Sequence, residues 1–509
     1  MARICLCLTG KTLARDQEIL EKYEKQVDLA ELRVDCLEPD ERLLVRRFPQ
    51  MVKVPVILTV RRERDGGFFA DGEGSRIILL SKGLAFAEAD RRHNFAYVDL
   101  EEDLDVPSLE EAARTFGTRI IRSFHDFKGV ERNLSGRLRA LNHGGDEIVK
   151  AAVMPQSMAD VVRIYETARE LWNMEKILLC MGDYGTNTRI LTELLGSHLT
   201  YAAVKGEADI PPGAPGQLCP KELVDFYRFR SINSKTRIFG VVGFPLKATS
   251  SPAFFNAVFT HRNIDAVYLP FPSDSLESFM KLADLIGLEG ASVTVPYKEE
   301  ILPYLQARTE EVDFIQACNT IVRRPPEHSG AQAGWAGANT DARGFSDALL
   351  EFTGLKDLKG KRLTIIGAGG AARAAAAAIY RLKGKALILN RTLFRARDLA
   401  ARYRFAWAGL DGRGVDLMSK YSDVIIQTTS VGMEPEINAD PLELYEFSGR
   451  EVVMDLIYKP ETTRFLKRAA RAGCPIQNGY DMLIRQAQYQ YTQFFGEDFP
   501  SQLLSRITI

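Results

Sequence analysis

The chain has 509 residues, a length at which about three domains are expected. Its content of 46% hydrophobic and 26% charged residues is typical of a soluble globular protein. A formal net charge of −1 provides no basic field for nucleic acid, and no apolar segment approaches the length needed to span a membrane.

The cysteines and histidines argue against disulfides and metal. Seven cysteines form an odd set without the paired spacing of zinc ligands, so we expect reduced thiols and no metal site. The six histidines form no metal-binding motif. The apolar run after Met1 is too short for a signal peptide, and no transit-like segment precedes it. These features favour a cytoplasmic protein over a processed plastid form.

Eight short apolar, β-branched runs recur through the first half of the chain, and charged helix-favouring segments separate most of them. The runs are Ile4–Leu8, Leu29–Val34, Val54–Val60, Phe95–Leu100, Arg119–Phe124, Glu147–Val153, Ile177–Met181 and Leu199–Val204. Eight evenly spaced strand–helix units predict a (βα)8 barrel. A doubly wound sheet is the alternative.

Ionisable residues collect late in these strands or directly after them. They are Glu31, Arg33, Asp35, Arg61, Asp99, Glu101, His125, Asp126 and Lys150. In a (βα)8 barrel the C-terminal ends of the strands carry the active site. So many charges of both signs on one rim would be costly unless they bind something. The pattern therefore predicts a ligand site at this rim.

Lys150 is the sharpest candidate, because it lies in EIVKAAVM with apolar residues on both sides. Desolvation favours the neutral amine of a lysine, which can attack a carbonyl. A lysine paired with an acid, or one whose amine reaches the rim, is the alternative. His125, one strand earlier, favours the nucleophile, because an imidazole can move the proton that a Schiff base makes acidic.

The first half resembles the type I 3-dehydroquinate dehydratase family. The matching segments are ELRVD at 31–35, TVRRERDGG at 59–67, SFHDF at 123–127, IVKAAVMPQS at 148–157 and APGQ at 214–217. The resemblance implies that Lys150 forms an imine with the substrate ketone and that His125 is the general acid and base. It further implies substrate contacts from Glu31, Arg33, Arg61, Asp65, Arg189 and Gln217.

Two departures from that family pattern affect the expected site. Asp65 stands where glutamate is common, so its carboxylate is one methylene shorter. Gly213 replaces the serine that usually precedes APGQ, so a lid hydroxyl is missing or is supplied from elsewhere.

The second half begins after a stretch rich in proline and glycine, an expected last helix over Lys221–Arg230 and a short polar linker near 232–236. We expect a first domain over 1–231 and a substrate-binding subdomain over 237–341. The C-terminal helix 480–509 should return to that subdomain. A nucleotide-binding Rossmann subdomain should lie between them, over 342–479. The expected fold class is α/β throughout.

The centre of that subdomain is KRLTIIGAGGAARAAAAAIYRLKGKALILNRT, residues 361–392. A strand at 363–366, a glycine turn, an alanine-rich helix and a strand at 386–389 place G-x-G-x-x-A in the context of dinucleotide binding. A packing turn of small residues is the alternative. The second strand ends in Asn390-Arg391-Thr392 rather than in an acid. A guanidinium suits a 2′-phosphate, so we expect NADP, unless Arg391 is merely solvated.

Between linker and nucleotide turn, several polar turns follow apolar strands. Thr249 and Ser251 precede a helix, where they could cap it or bind a carboxylate. The segment ASVTVPYK at 291–298 predicts a strand that stops at a proline and delivers Lys298. Asn-Thr turns occur at 319–320 and 339–340, the second followed by Asp341. Such groups suit a polyhydroxylated ligand whose carbonyl receives a hydride.

Residues 237–509 resemble the shikimate dehydrogenase family. The matching segments are GFPLKATSSP, VTVPYK, ACNT, GANTDARG, GAGGAARA, NRT, QTTSVGM, DLIYKPETT and NGYDMLIRQA. The resemblance implies a catalytic pair, Lys298 and Asp341, and substrate contacts from Thr249, Ser251, Thr294, Asn319, Tyr458 and Gln486. It implies cofactor contacts from Gly367, Ala368, Gly369, Gly370, Ala371, Arg373, Asn390, Arg391, Thr392, Thr428, Leu456 and Gly479. Thr249 stands for the usual serine and Ser292 for a common asparagine.

Together the two resemblances imply consecutive reactions. The first half would dehydrate 3-dehydroquinate to 3-dehydroshikimate through a Lys150 imine, and the second would reduce that product to shikimate with NADPH. The partners would be these small molecules, without nucleic acid or membrane. Two alternatives remain: a quinate-type dehydrogenase that uses NAD oxidatively, or a barrel that binds ligand without turnover. The sequence does not indicate an oligomeric state.

Overall fold

The computed structural model describes residues 2–85, 90–211, 213–246, 249–324 and 334–507. Two compact units are present, one comprising Met1–Phe239 and Phe255–Leu288 and the other Gly240–Phe254 and Glu289–Ile509. The domain boundaries expected from the sequence stay a prediction. Within the described ranges, none of the helices combines the length and the apolar character that a bilayer crossing requires.

The first half alternates strands and helices. Its strands are β1 Arg3–Leu8, β2 Leu29–Arg33, β3 Val56–Thr59, β4 Tyr97–Glu101, β5 Arg119–Asp126, β6 Ile148–Val153, β7 Lys176–Cys180 and β8 Leu199–Ala203. Its helices are α1 Leu13–Tyr23, α2 Pro39–Arg42, α3 Phe48–Met51, α4 Glu73–Leu84, α5 Pro107–Thr115, α6 Leu134–Leu141, α7 Met158–Glu170 and α8 Thr186–Ile190.

These eight strands form one parallel sheet in the order β7-β6-β5-β4-β3-β2-β1-β8. The ends of the sheet also meet, because the His198 N–H donates to the Lys176 carbonyl at 2.7 Å, beside a bridge between Lys176 and Ser197. A single apolar cluster collects side chains from all eight strands. The predicted barrel is therefore confirmed, in a nearly closed form.

The segment after the barrel differs from its expected form, a single helix over 221–230. A five-residue turn of π type covers Glu222–Phe226, and a separate 3-10 turn covers Phe229–Ser231. Arg228 lies between them in the left-handed region, with φ +52°. A left-handed residue cannot continue a right-handed helix, so the prediction of one helix is wrong.

A second sheet follows, in the order β10-β9-β11-β13-β14-β12. Its strands are β9 Arg237–Gly243, β10 Ala266–Pro272, β11 Leu288–Val293, β12 Ala307–Arg308, β13 Thr320–Arg324 and β14 Gly334–Ala338. The accompanying helices are α9 Ser251–Arg262, α10 Leu276–Ile286, α11 Glu310–Ile315 and α12 Asp341–Thr353.

The last sheet is parallel, in the order β17-β16-β15-β18-β19-β20. Its strands are β15 Arg362–Ile366, β16 Lys385–Asn390, β17 Ala406–Gly409, β18 Val424–Gln427, β19 Val452–Asp455 and β20 Ile476–Gln477. The helices are α13 Gly370–Arg381, α14 Leu393–Tyr403, α15 Gly412–Met418, α16 Arg464–Arg471 and α17 Tyr480–Phe495.

This strand order is that of a Rossmann fold, so the predicted fold class is confirmed. The order reverses between β15 and β18, and the Gly367 turn follows β15 at that point. The alanines at 374–378 are buried in the sheet's core cluster, where their small side chains let α13 lie close to the strands.

Candidate active sites

The Lys150 amine lies inside the barrel among polar groups of three other strands. It donates to Asp99 Oδ2 at 2.8 Å and lies 3.1 Å from the Tyr201 hydroxyl and 4.0 Å from Glu31 Oε1. The side chain is only 4% exposed. Both interpretations of this lysine therefore have a physical basis: the amine is buried as a nucleophile would be, and it is also paired with an acid.

Asp99 is the anion that two cations share. Its Oδ2 lies 3.0 Å from the Arg61 guanidinium as well as 2.8 Å from Lys150, and its Oδ1 accepts from Ser123 at 2.5 Å. Burial alone would raise the pKa of this carboxyl, but the charges of Arg61 and Lys150 hold it well below its usual range. Asp99 is therefore ionised and fixes the position of both cations.

His125 lies near the C-terminal end of β5, where the charges of Arg61, Lys150 and Asp99 act on its imidazole. Its Nδ1 is buried and has no hydrogen-bond partner among the described residues. Burial, together with the charges of Arg61 and Lys150, lowers the pKa of His125 well below 6.5, against an opposing effect of Asp99. The imidazole is therefore neutral near pH 7 and able to accept a proton.

The structure also defines the contacts of two more predicted residues, Glu31 and Arg33. Glu31 accepts from Thr59 Oγ1 at 3.0 Å and from the Cys7 thiol at 3.2 Å. Arg33 forms a two-pronged ion pair with buried Asp35, and Asp35 raises the pKa of the guanidinium despite its burial. Glu31 thus reaches the Lys150 amine, whereas Arg33 is held by its neighbour.

Arg189 carries an unmatched positive charge. Its Nε and Nη1 are buried without a partner among the described residues, and its Nη2 reaches only the Pro215 carbonyl at 3.2 Å. Burial lowers the pKa of Arg189 to about 10. A buried guanidinium with free donors fits a carboxylate, which can accept two of them side by side.

Gln217 and Gly213 close the loop beside Arg189. Gln217 Nε2 lies 3.3 Å from the Cys7 sulfur, while its Oε1 is buried without a partner among the described residues. A Cβ at Gly213 would come within 1.8 Å of that oxygen. A serine at 213 would therefore require the flexible end of the Gln217 side chain to move.

Asp65 is the one predicted barrel residue whose contacts lead away from this centre. Its carboxylate accepts from Arg62 at 2.6 Å, and Arg62 also pairs with Asp103. None of the contacts of Asp65 among the described residues reaches Lys150 or His125. Its expected role in substrate binding stays a prediction.

Sequence reasoning named Asp99 only as one charge on the rim, and it missed Ser123 and Tyr201. Ser123 opens the matching segment SFHDF but was given no role, and Tyr201 lies within LTYAA, which carries no motif. The available indication for Ser123 was its spacing two residues before His125, because period two places alternate residues on the same face of a strand.

In the second half, Lys298 and Asp341 form an ion pair of 2.5 Å. The Asn319 amide organises it, since Nδ2 donates to Asp341 Oδ1 at 2.8 Å and to Thr340 Oγ1 at 2.9 Å. The Lys298 carbonyl in turn accepts from the Cys318 N–H at 2.7 Å. The two Asn-Thr turns thus bring the predicted catalytic pair together.

The remaining predicted substrate residues surround this pair unequally. The Tyr458 hydroxyl accepts from the Ser250 N–H at 3.3 Å. The Ser251 N–H donates to Thr249 Oγ1 at 3.4 Å. Thr249 therefore turns the chain at the start of α9, as the capping alternative expected. Gln486 approaches Asn319 at 3.5 Å. Thr294 contributes its N–H to the Val242 carbonyl, and its side chain has no hydrogen bond among the described residues that would assign it a ligand role.

Ser292 has a contact that explains part of its environment. Its hydroxyl donates to Gln490 Oε1 at 2.8 Å, and Gln490 Nε2 donates to the Asn319 carbonyl and to Thr320 Oγ1, both at 3.1 Å. Gln490 was not among the predicted site residues. Through Asn319 it braces the predicted catalytic pair from α17.

The Gly367 turn has the shape that a pyrophosphate requires. Gly367 has φ +117°, and a Cβ there would lie 2.5 Å from Thr428 Oγ1. Gly369 is exposed, and a Cβ there would meet no atom within 4 Å. The N-terminus of α13 begins directly after it, with free backbone N–H groups. Of the other predicted cofactor residues, Ala368 lies in this turn and Ala371 lies in the first turn of α13.

Other predicted cofactor residues also cluster at the carboxyl ends of these strands. A Cβ at Gly479 would meet the Leu456 backbone at 2.1 Å, so the two lie in contact. Arg373 pairs with Glu299 at 2.8 Å, while its Nε is buried without a partner among the described residues.

The end of β16 fits a 2′-phosphate better than free ribose hydroxyls. Asn390 donates to the Thr392 carbonyl at 2.9 Å, and Arg391 and Arg395 are exposed. No acidic side chain pairs with either arginine among the residues that the structure describes. The residues present therefore fit a dinucleotide with a phosphate on its adenosine ribose.

Family models match both halves of the chain. A model described as type I 3-dehydroquinase matches residues 4–234. Models described as shikimate dehydrogenase substrate binding domain and as shikimate / quinate 5-dehydrogenase match residues 241–321 and 350–454.

The chain is similar to proteins that span both of its halves and to proteins that match about half of it. The chain is 28% identical over 518 residues to the chloroplastic bifunctional 3-dehydroquinate dehydratase/shikimate dehydrogenase of Arabidopsis thaliana, covering 96% of this chain and 81% of that protein. It is 26% identical over 502 residues to the shikimate biosynthesis protein AroDE of Chlamydia pneumoniae, covering 97% and 95%. It is 36% identical over 274 residues to the shikimate dehydrogenase (NADP(+)) of Caldanaerobacter subterraneus subsp. tengcongensis, covering 53% and 95%.

The lowered pKa of His125 predicts a pH-dependent loss of stability. Because the unfolded chain binds this proton near pH 6.5 and the folded chain resists it, His125 stabilises the fold above that pH and loses this contribution as the pH falls. His125→Gln should reduce the drop in unfolding free energy between pH 7 and pH 5 by up to about 2 kcal/mol. Urea unfolding at the two pH values measures it.

The matched control for that measurement is His143→Gln, because His143 is exposed on a loop of the same half. This variant should keep the wild-type pH dependence. An equal effect of both substitutions would contradict the assignment of the protonation to the buried site.

The close packing of Gly370 against Lys298 predicts that a larger residue at 370 would displace the lysine. A Cβ at Gly370 would lie 2.8 Å from both Cβ and Cδ of Lys298, whereas one at Gly369 meets nothing. Gly370→Ala should therefore displace Lys298 from Asp341 and make its amine several-fold more reactive toward an acylating reagent, while Gly369→Ala should not. Peptide mass spectrometry of the labelled apo protein measures the rate. Equal labelling of Lys298 in the two variants would contradict the contact.

Proposed function

Because this chain belongs to the shikimate dehydrogenase family and carries a type I 3-dehydroquinase domain before that module, we propose that it catalyses two consecutive reactions. The barrel dehydrates 3-dehydroquinate to 3-dehydroshikimate, and the second half reduces this product to shikimate with NADPH. The observation that carries the proposal is the buried Lys150 amine beside a neutral His125 at the C-terminal ends of the barrel strands.

In the barrel, Lys150 attacks the substrate ketone and forms an imine. The imine draws electrons from the adjacent carbon, so that the neutral His125 can remove a proton there and return it to the departing hydroxyl as water leaves. The unmatched guanidinium of Arg189 supports binding of the substrate carboxylate, and Gln217 lies beside it on the loop. Asp99 stays ionised and stabilises the cationic nitrogen.

In the second half, Lys298 and Asp341 face the carbonyl that is reduced. NADPH, when bound, supplies the hydride to that carbon. The Lys298 ammonium donates a proton to the oxygen as it becomes a hydroxyl, and Asp341 fixes the ammonium at 2.5 Å. The hydroxyls of Thr249 and Ser251 would bind the carboxylate, at the start of α9 where the helix dipole favours an anion.

The Gly367 turn and the arginines after β16 would hold the dinucleotide. Gly369 leaves open space for the pyrophosphate at the N-terminus of α13, and exposed Arg391 suits the 2′-phosphate. Thr428, Leu456 and Gly479 would line the remaining wall. The NADP(+) dependence in the name of the Caldanaerobacter relative supports this choice.

We place the protein in a cytoplasmic compartment, which the seven free cysteines support. The small-molecule substrates named above are the partners that the two sites require.

The proposed function predicts a coupled assay. The full-length protein mixed with 3-dehydroquinate and NADPH should first produce enone absorbance and then consume NADPH. Borohydride added with substrate should leave an adduct on Lys150, because reduction makes the imine permanent. Lys150→Met should abolish the dehydration and the adduct, yet retain reduction of added 3-dehydroshikimate. A barrel that binds without turnover would show no enone and no adduct in the wild type.

The cofactor assignment predicts a selective effect at Arg391. Arg391→Ala should raise the KM for NADPH by roughly tenfold, because one charge-assisted contact to the 2′-phosphate is lost. The KM for NADH should stay within about twofold. Asp398→Ala on α14 is the control, since its exposed carboxylate lies nearest to Arg397 instead. A wild-type enzyme that prefers NAD and oxidises quinate would overturn the assignment.

A further inference from the structure

The Tyr201 hydroxyl touches the nitrogen that would form the imine. Tyr201 lies on β8, is 3% exposed, and places its hydroxyl oxygen 3.1 Å from Lys150 Nζ. Its ring centre lies 4.4 Å from the same nitrogen. A tyrosine in this position offers both a cation–π face and a hydrogen-bond acceptor to one reacting atom.

Imine formation moves protons from this nitrogen to the ketone oxygen. A lysine ammonium carries three N–H protons, and the iminium that it becomes carries one. The C–N bond forms, the C–O bond breaks, and the oxygen leaves as water with the two protons that the nitrogen gave up. The step balances without an external acid, but it needs groups that contact both nitrogen and oxygen.

The partners of Lys150 show which group becomes available. The ammonium donates to Asp99 at 2.8 Å and has Tyr201 at 3.1 Å as its next nearest polar partner. When one N–H remains, the ionised Asp99 retains it, because an iminium–carboxylate hydrogen bond is charge-assisted. Tyr201 then has no N–H to accept, and its own O–H is free to donate.

We propose that Tyr201 is a catalytic residue of the dehydratase site. The Tyr201 O–H donates a hydrogen bond to the carbinolamine oxygen while that oxygen leaves the Lys150-bound carbon as water. This inference rests on the proposed imine. Burial and nearby anions raise the pKa of Tyr201 well above its ordinary value, so the phenol remains protonated and acts as a donor throughout. His125 moves the protons between nitrogen and oxygen, and Tyr201 keeps its own.

The test uses the full-length protein, 3-dehydroshikimate and borohydride. This ketone is the product of the first reaction, so its trapping on Lys150 follows imine formation without the later removal of a carbon-bound proton. Tyr201→Phe keeps the ring and removes only the hydroxyl. We expect the trapping rate constant to fall by roughly 10-fold or more, while the final yield of adduct at saturating ketone stays at the wild-type level.

Tyr97→Phe is the matched control. Its hydroxyl accepts from Arg3 at 2.9 Å at the start of β4, so this variant loses a buried hydroxyl of the same barrel without contact to Lys150. Trapping in Tyr97→Phe should remain within about twofold of wild type. Exchange of the ketone oxygen with labelled water, measured by mass spectrometry, gives the same rate without borohydride.

The outcomes separate this inference from the function beneath it. A wild-type protein that gives no Lys150 adduct overturns the proposed function, and this role with it. A normal wild-type adduct with an unchanged rate in Tyr201→Phe overturns the role of Tyr201 alone. If Tyr201→Phe does not fold, 3-fluorotyrosine at 201 replaces it, because fluorine strengthens the donor. Trapping should then be faster than in wild type, and an equal or slower rate contradicts the role.

Discussion

Asp99 is the interaction on which the barrel site depends. One buried carboxylate contacts Lys150 of β6 and Arg61, which follows β3, while Ser123 of β5 occupies its other oxygen. Burying these charges singly would be prohibitive, and together they neutralise most of one another. The same carboxylate that makes Lys150 tolerable in the core also fixes where its nitrogen points. A nucleophile in this position is thus inseparable from the ion network that surrounds it.

The second half solves the same problem with an amide rather than a second cation. Asn319 donates to Asp341, accepts from the Thr340 N–H at 2.9 Å, and receives the Thr320 hydroxyl at 2.8 Å. Because an amide has both donors and acceptors, it can satisfy several polar neighbours without adding charge. The pair of Lys298 and Asp341 therefore rests on two turns that are 21 residues apart in sequence. They lie side by side because one precedes β13 and the other follows β14, and these two strands are antiparallel neighbours.

The two halves also differ in what their loops leave unmatched. In the barrel, buried donors of Arg189 and a buried acceptor of Gln217 lack partners among the described residues. The site therefore offers a ligand both hydrogen-bond donors and a hydrogen-bond acceptor. In the nucleotide turn, the opening is a space at Gly369 rather than an unpaired atom. The first arrangement is suited to a compact acid with hydroxyls, and the second to a pyrophosphate against backbone.

The sequence by itself determined the local features: eight strand–helix units, the glycine turn after β15, and the arginine that follows β16. Hydrophobic period and turn chemistry are local, so they can be identified without coordinates. It placed Lys150 and His125 on neighbouring strands but left the state of the amine open between nucleophile and ion pair. Only the tertiary structure decided that Asp99, Tyr201 and Gln490 join these sites, since each is brought there by strand pairing or helix packing across long stretches of chain. It also decided that Asp65 turns to Arg62, because short-range ion pairs within a loop are set by backbone geometry that no motif records.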